Sequence, residues 1–398
     1  MAVAQIAAQK SPHRRTVLAV ACGAHALHDG YTDLIYVLLP IWQTEFALSY
    51  AALGILRMLY TGAMATLQMP ASMLARRFGG ASLLAFGTAL AACAYLTIGL
   101  TGAGFAVLAI ALVFGGAGSA TQHPLASSLV SRAYDDQGAR AALGTYNFAG
   151  DLGKMAVPAA VAWMLVLLPW RHAVGIVGAV GLVVALAILT LLPRDLGSAR
   201  HVAAQSWSVQ SDTSASPVAF PLLLLIGIID SGTRMGFLAF LPFVLKAKGG
   251  GFEVIGVALT LIFAGGAVGK LACGLLGERL GVLLTVILTE GATAGGILAI
   301  HFLPLIPSLV CLPLIGLALN GTSSVLYGTV PELVTSARRE RAFGLFYTGT
   351  IGAGAVAPVV YGFVGDAMGP INAIMVVAVV CLLTIPLAIA LRPSLRSA

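Results

Sequence analysis

The sequence predicts an all-α integral membrane protein: twelve membrane-crossing helices in two pseudo-symmetric six-helix bundles. Three observations carry this. The 398-residue chain is 59% hydrophobic and only 9% charged, where soluble domains run near a quarter charged, and its mean hydropathy is +0.97. The apolar residues fall in runs of about 20, the length that crosses a bilayer. The runs come as six and six around one polar stretch, and the two sets repeat.

In chain order, residues 1–15 read as a cytoplasmic tail. Their basic residues resemble the start of a signal peptide, but the following apolar run continues past Phe46 with no cleavage site. The spans are 16–44, 51–74, 81–100, 105–131, 142–168 and 172–192, which together make an N-terminal bundle of residues 16–192. Residues 193–217 are Ser- and Ala-rich without apolar periodicity, and read as a cytoplasmic linker. Spans 219–245, 253–277, 282–303, 307–334, 342–365 and 371–391 make the C-terminal bundle, 218–391, followed by a tail of 392–398.

Basic residues in the connectors set the orientation. With the N-terminus inside, the inner connectors hold Lys10, Arg14, Arg15, Arg76, Arg77, Arg132, Arg140, Arg194, Arg200, Arg279, Arg338, Arg339, Arg341, Arg392 and Arg396, and the outer ones only Arg171, Lys246 and Lys248. Both termini and the linker are therefore expected in the cytoplasm, with the protein multi-pass in the inner (plasma) membrane.

The repeat is visible in the fifth and eleventh spans. "ALGTYNFAGDLGKMAVP" (142–158) and "AFGLFYTGTIGAGAVAP" (342–358) share Gly144 and Gly344, the aromatics Tyr146 and Phe346, and Pro158 and Pro358. More loosely, "DGYTDLIYVLLP" (29–40) matches "DSGTRMGFLAFLP" (230–242) with a one-residue slip. Parallel repeats of this kind are a transporter signature. Much of the glycine serves close helix packing, as in Gly265-xxx-Gly269.

Several functions are disfavoured. The net charge of +7 is spread over short connectors, with no basic stripe and no nucleic-acid motif. The five cysteines stand far apart inside apolar runs, with no metal or redox spacing. No nucleophile elbow, HExxH, phosphate loop or haem pattern marks an enzyme. No cofactor is implied.

The polar residues inside the spans carry the functional signal, because a charge at membrane depth costs on the order of 3 kcal/mol. In the first span His25, His28, Asp29, Thr32, Asp33 and Tyr36 fall within an arc of about 140° at 100° per residue. They form one polar stripe, read as a cavity wall. Arg57 in the second span is the natural partner for Asp29 or Asp33. Gln122 and His123 share a face of the fourth span. Asn147, Asp151 and Lys154 share a face of the fifth, with Asp151 and Lys154 paired at i,i+3. Asp230 and Arg234 in the seventh echo Asp29 and Asp33, with a cation for the second acid. Lys270 and Glu290 are read as packing residues as readily as functional ones.

"GLLGERLG" (Gly274 to Gly281) between the eighth and ninth spans resembles the loop motif of the major facilitator superfamily, with Gly274, Glu278, Arg279 and Gly281 in place. The resemblance implies that the acid and arginine latch neighbouring helices on the cytoplasmic side. In the matching "SMLARRFG" (72–79) Arg76 takes the acidic position. His25 and Asp29 in "HALHD", and "GGAGSATQHP" with His123 and Pro124, resemble the fosmidomycin-resistance type of exporter, from which the chain departs at Asp151 and Lys154. The superfamily resemblance implies two bundles rocking about a midplane site.

The expected function is proton-coupled secondary transport of a small anionic or drug-like organic solute, with export the first expectation and import of a small organic anion the alternative. Asp29, Asp33 and His25 are the expected proton-coupling residues. His28, Arg57, Gln122, His123, Asn147, Asp151, Lys154, Asp230 and Arg234 are the expected substrate contacts. A second alternative is a transition metal or its chelate held by His25, His28, Asp29 and His123. The expected partners are the solute, protons and the lipid bilayer, with no nucleic acid, and the protein working as a monomer.

Overall fold

The computed structural model describes residues 2–100, 104–134, 138–193, 218–335 and 338–396. The linker expected at 193–217 lies, beyond its first residue, outside the described residues. All the regular structure described is helical, with no strand among the described residues.

The helices are α1 (Ala2–Phe46), α2 (Tyr50–Phe78), α3 (Gly80–Leu100), α4 (Phe105–Ser119), α5 (Gln122–Ala133), α6 (Ala139–Leu167), α7 (Trp170–Leu191), α8 (Ala219–Ala247), α9 (Phe252–Phe302), α10 (Leu305–Thr329), α11 (Arg339–Met368), α12 (Pro370–Leu382) and α13 (Thr384–Arg396). They resolve into twelve spans. The fourth bends at Ala120 and Thr121 between α4 and α5, and the twelfth is α12 with α13. The eighth and ninth run on as α9, broken at Gly281. Ten spans are long and apolar enough to cross a membrane by length and composition alone. The first two are long enough, but the polar stripe and Arg57 lower their hydropathy.

Glycine sets two of the sharpest breaks. Gly281 has φ +77° and Gly79 has φ +85°, a region that side chains with a Cβ avoid. These are the last residues of the two loop motifs, so the glycine of the motif keeps its backbone role in both repeats.

The chain divides into two compact units: Met1–Ile35 with Leu59–Ser206, and Tyr36–Met58 with Trp207–Ala398. In the first, α3 lies against α7 and α4, and α5 against α6. Its core includes Val17, Ala21, Leu84, Leu125, Leu129, Tyr146 and Ile188. In the second, α9 lies against α10 and α12, and α8 against α11. Its core includes Leu223, Ile226, Val286, Leu326, Val330, Phe346 and Leu391. Each unit thus joins its third span to its sixth, as the repeat requires. A Cβ at Gly265 or Gly269 would strike the backbone of α10 at Pro313 or Leu317, so small residues bring α9 and α10 together without a hydrophobic driving force between them. Large apolar side chains such as Trp163, Leu167, Val183, Leu271 and Val310 face outward, where lipid is the solvent.

Candidate functional site

α1 carries His25 and Asp29 one turn apart, and glycines on α6 let the two helices meet there. A Cβ on Gly150 would lie 2.7 Å from both the Asp29 carboxylate and the His25 ring, and one on Gly153 would strike the backbone of Ala26. The sequence spacing Gly150-xx-Gly153 places both on one face of α6. Just beyond that face stands Lys154. Its Nζ lies 3.3 Å from Asp29 Oδ2 and 3.7 Å from Asp151 Oδ1. The expected i,i+3 pair with Asp151 is therefore present, and the shorter contact crosses to α1.

Asp29 is 7% exposed and has three cationic or titratable neighbours. Besides Lys154, His25 Nε2 and His123 Nε2 lie 3.5 and 3.7 Å from Oδ1. The His25 ring stacks on Tyr146 at 4.1 Å between centroids and meets His123 edge-on at 5.1 Å. Gln122, fully buried, donates from Nε2 to the Tyr146 hydroxyl at 3.4 Å, which steadies the ring beneath His25. The side chain of His123 is 45% exposed and that of Lys154 29%, so the cluster has one accessible edge. Asn147 is exposed two turns before Lys154 on α6.

The protonation logic follows from one hydrogen bond. His25 Nδ1 lies 2.8 Å from the carbonyl oxygen of Tyr146. A carbonyl only accepts, so Nδ1 carries a hydrogen, and in the neutral ring Nε2 is a bare lone pair. That lone pair faces a carboxylate oxygen. The pair becomes attractive when one proton sits on His25 Nε2 or on Asp29. Asp29, Asp33 and Asp151 against Lys154 leave two negative charges, of which one proton removes one.

His28 is placed elsewhere. Its Nδ1 lies 3.1 Å from Ser119 Oγ and its Nε2 3.0 Å from Thr88 Oγ1. Thr88 gives its own hydrogen to the Leu84 carbonyl, so Thr88 accepts from His28 Nε2. Ser119 then donates to Nδ1, and Tyr60, 2.7 Å from Ser119 Oγ, donates to Ser119. The chain Tyr60, Ser119, His28, Thr88 ties α2, α4, α1 and α3 together. It uses both ring nitrogens of His28. The residues whose donor atoms lie within 4.8 Å of one another are His25, Asp29 and His123, without His28.

The remaining expected residues divide between the units. Asp33 is buried one turn beyond Asp29, within electrostatic reach of Lys154. In the second unit Arg57 is 2% exposed, donates from Nη2 to the Tyr36 hydroxyl at 3.2 Å, and lies 4.7 Å from that ring's centroid. Tyr36 in turn donates to Met235 Sδ at 3.4 Å. Asp230 on α8 lies beside Glu290 of α9, with Arg234 in electrostatic reach. In the loop motif Glu278 and Arg279 are exposed, and neither enters an ion pair among the described residues. The reading from sequence missed Tyr146, Ser119 and Thr88 as partners of the histidines. The aromatic shared by the repeats marked Tyr146, and nothing local marks Ser119 or Thr88.

The comparisons agree with this architecture. The chain resembles the crystal structure of a bacterial homologue of the human lysosomal transporter Spinster, inward-facing and occupied, with TM-score 0.77 at 17% identity over 96% of this chain and 98% of that one. The nucleoside transporter NupG is similar, with TM-score 0.77 at 13% identity over 96% and 99% of the two chains. At these identities the likeness is one of fold. No curated protein matches the sequence. The family model of the Major Facilitator Superfamily matches residues 21–220 and 223–398, and the chain belongs to that superfamily of membrane transporters.

Proposed function

We propose that the protein is a proton-coupled transporter of a small organic anion, with the Asp29 cluster as its coupling centre. The observation that carries this is the His25–Asp29 pair. The Tyr146 carbonyl fixes the hydrogen on Nδ1, so the facing Nε2 and carboxylate hold one exchangeable proton between them. Lys154 bridges Asp29 and Asp151. A proton arriving on Asp29 frees the ammonium on its accessible side, where it meets an anionic substrate beside His123. Proton and substrate then share one cation, which is a physical basis for coupling. A proton that frees the cation for the anion travels with it, so this geometry supports symport, which an inward proton gradient drives as import. The resemblance of the first and fourth spans to fosmidomycin-resistance exporters supports export instead, and the basic connectors support both termini in the cytoplasm.

The test has two steps. Thermal-shift screening of anions on purified protein identifies a ligand, and its transport is then followed in proteoliposomes under an imposed pH gradient. Gradient-driven transport that Asp29→Asn abolishes is the expected result. A flat pH dependence with Asp29→Asn unimpaired overturns the reading.

A second reading treats a transition metal as cargo, since two imidazole nitrogens and a carboxylate oxygen lie within 4.8 Å of one another and suit such an ion. Against it, Lys154 already supplies a cation to Asp29. Calorimetry with zinc and manganese separates the two: heat of binding that His25→Ala removes favours the metal.

A further inference from the structure

The second unit buries two carboxyl groups beside each other: Asp230, expected from the sequence as a substrate contact, and Glu290. Asp230 on α8 is 3% exposed, Glu290 on the second half of α9 is 1% exposed, and their side chains lie close enough to interact. Two ionised acids this close and this dry would repel strongly.

The surroundings are arranged for one bound positive charge. Cys381 of α12 donates from Sγ to Glu290 Oε2 at 3.1 Å. Thr322 of α10 adds a hydroxyl beside Glu290, itself donating to Thr289 at 2.7 Å. Among the described residues the Thr293 hydroxyl has no hydrogen-bond partner, and Thr233 and Thr293 are each 1% exposed. They stand three residues beyond Asp230 and Glu290 on the same helix faces, and Thr233 also lies beside the Cys381 thiol, so both are available to the cluster. The titratable groups facing the pair are Arg234 from α8, Tyr327 from α10 and Cys381 from α12, with Tyr361 of α11 behind Cys381. Arg234 supplies one positive charge against two acids, so one further charge makes the cluster neutral.

We propose that Asp230 and Glu290 form a second proton-binding site, holding one exchangeable proton between them. Each six-helix repeat then carries its own proton site. Sodium is the rival occupant, since carboxylates and hydroxyls are hard oxygen ligands. The thiol donor on Glu290 and the arginine beside Asp230 favour the proton, since a hard cation asks for a shell of oxygens.

Infrared difference spectroscopy of the full-length protein in liposomes tests this, because a protonated carboxyl has a carbonyl stretch that carboxylates and amides lack. At neutral pH the protein is expected to show such a band, fading as the pH rises. Glu290→Gln and Asp230→Asn are each expected to remove it, and Asp29→Asn to leave it. Should those variants fail to fold, isotope labelling of the glutamate and aspartate carboxyls in the unsubstituted protein is expected to shift the band. Absence of a label-shifted band at neutral pH overturns the proposal. So does a band that vanishes at constant pH when sodium chloride replaces choline chloride.

Discussion

The first spans of the two repeats place an acid at matching positions, Asp29 and Asp230, and the two meet opposite partners. Asp29 is met from α6 by a lysine, with a second acid and two imidazoles around it. Asp230 is met from α9 by another acid, with a thiol and hydroxyls around it. The first arrangement has an accessible edge at His123 and Lys154. The second is closed, with both carboxyls almost fully buried. A duplicated scaffold conserves helix contacts, and the charge logic is then set by one or two side chains. In the fifth span it is set by Asp151 and Lys154, which the eleventh span lacks.

The largest expected effect comes from removing the cation that distinguishes the first centre. Lys154→Met leaves Asp29 and Asp151 without their shared counter-charge. Breaking a buried pair from one side costs about 3 kcal/mol, and thermal unfolding in detergent should show it, with transport lost. Combining Lys154→Met with Asp29→Asn removes both partners and should recover most of the stability. If the double variant is as unstable as the single, the two residues do not act as a pair.

A second test compares a glycine of α6 packed against α1 with an unpacked glycine of α11 that lies two places off the register of the repeat. A Cβ on Gly150 meets Asp29 and His25 at 2.7 Å, and one on Gly352 meets nothing within 4 Å. Gly150→Ala should destabilise by about 1–3 kcal/mol through overpacking and push His25 off the carboxylate. Gly352→Ala should be neutral or stabilising by about 0.5–1 kcal/mol, because alanine favours a helix over glycine. Equal effects at the two sites would mean that Gly150 is not there to seat the pair.

The outlines of this contrast were legible in the sequence and its partners were not. Apolar runs of bilayer length gave the twelve spans, because lipid forces each backbone to satisfy itself in a helix. The i,i+4 spacing of His25 and Asp29 put them together, since that contact lies within one helix. Contacts between helices carry no such local mark. Lys154 was paired with Asp151 from spacing alone, and its shorter contact to Asp29 depends on how closely α6 approaches α1. His25 and His28 sit on one stripe and look alike in sequence. Their neighbours, the Tyr146 carbonyl for one and Ser119 with Thr88 for the other, separate a ring with one nitrogen facing a carboxylate from a ring with both nitrogens hydrogen-bonded. Glu290 was legible only as an acid at membrane depth, because its partner lies 60 residues away on another helix. The bend at Ala120 and Thr121 falls just before Pro124, which has no N–H to give the Ala120 carbonyl and whose ring crowds it, a mark that reading 105–131 as one run passes over.

A smaller effect concerns the start of α2, within the second unit. Asp366 of α11 accepts hydrogen bonds from the backbone nitrogens of Tyr50 at 2.6 Å and Ala51 at 3.1 Å. It caps a helix in another part of the chain, where free N–H groups and the helix dipole favour a carboxylate. Asp366→Ala should cost about 1 kcal/mol, as lost caps do, and Asp366→Asn less, because one acceptor remains. Chemical denaturation followed by circular dichroism reads the difference. No change in either variant would show that water replaces the cap without loss.

The smallest expected effect on stability is at the loop motif, and it separates the motif's two parts. Gly281 and Gly79 share a left-handed backbone, so the glycine is needed in both repeats for the turn itself. The charges are different: Glu278 and Arg279 are exposed here, and Arg76 has replaced the acid in the first repeat without disturbing its turn. Glu278→Ala and Arg279→Ala should therefore shift unfolding by no more than about 0.5 kcal/mol, the usual range for exposed positions. If the pair latches helices in another state of the cycle, the same substitutions lower the transport rate while leaving that unfolding unchanged. A large loss of stability would instead place the pair in the fold, and an unchanged rate with unchanged stability would leave the motif's glycine as the part this chain uses.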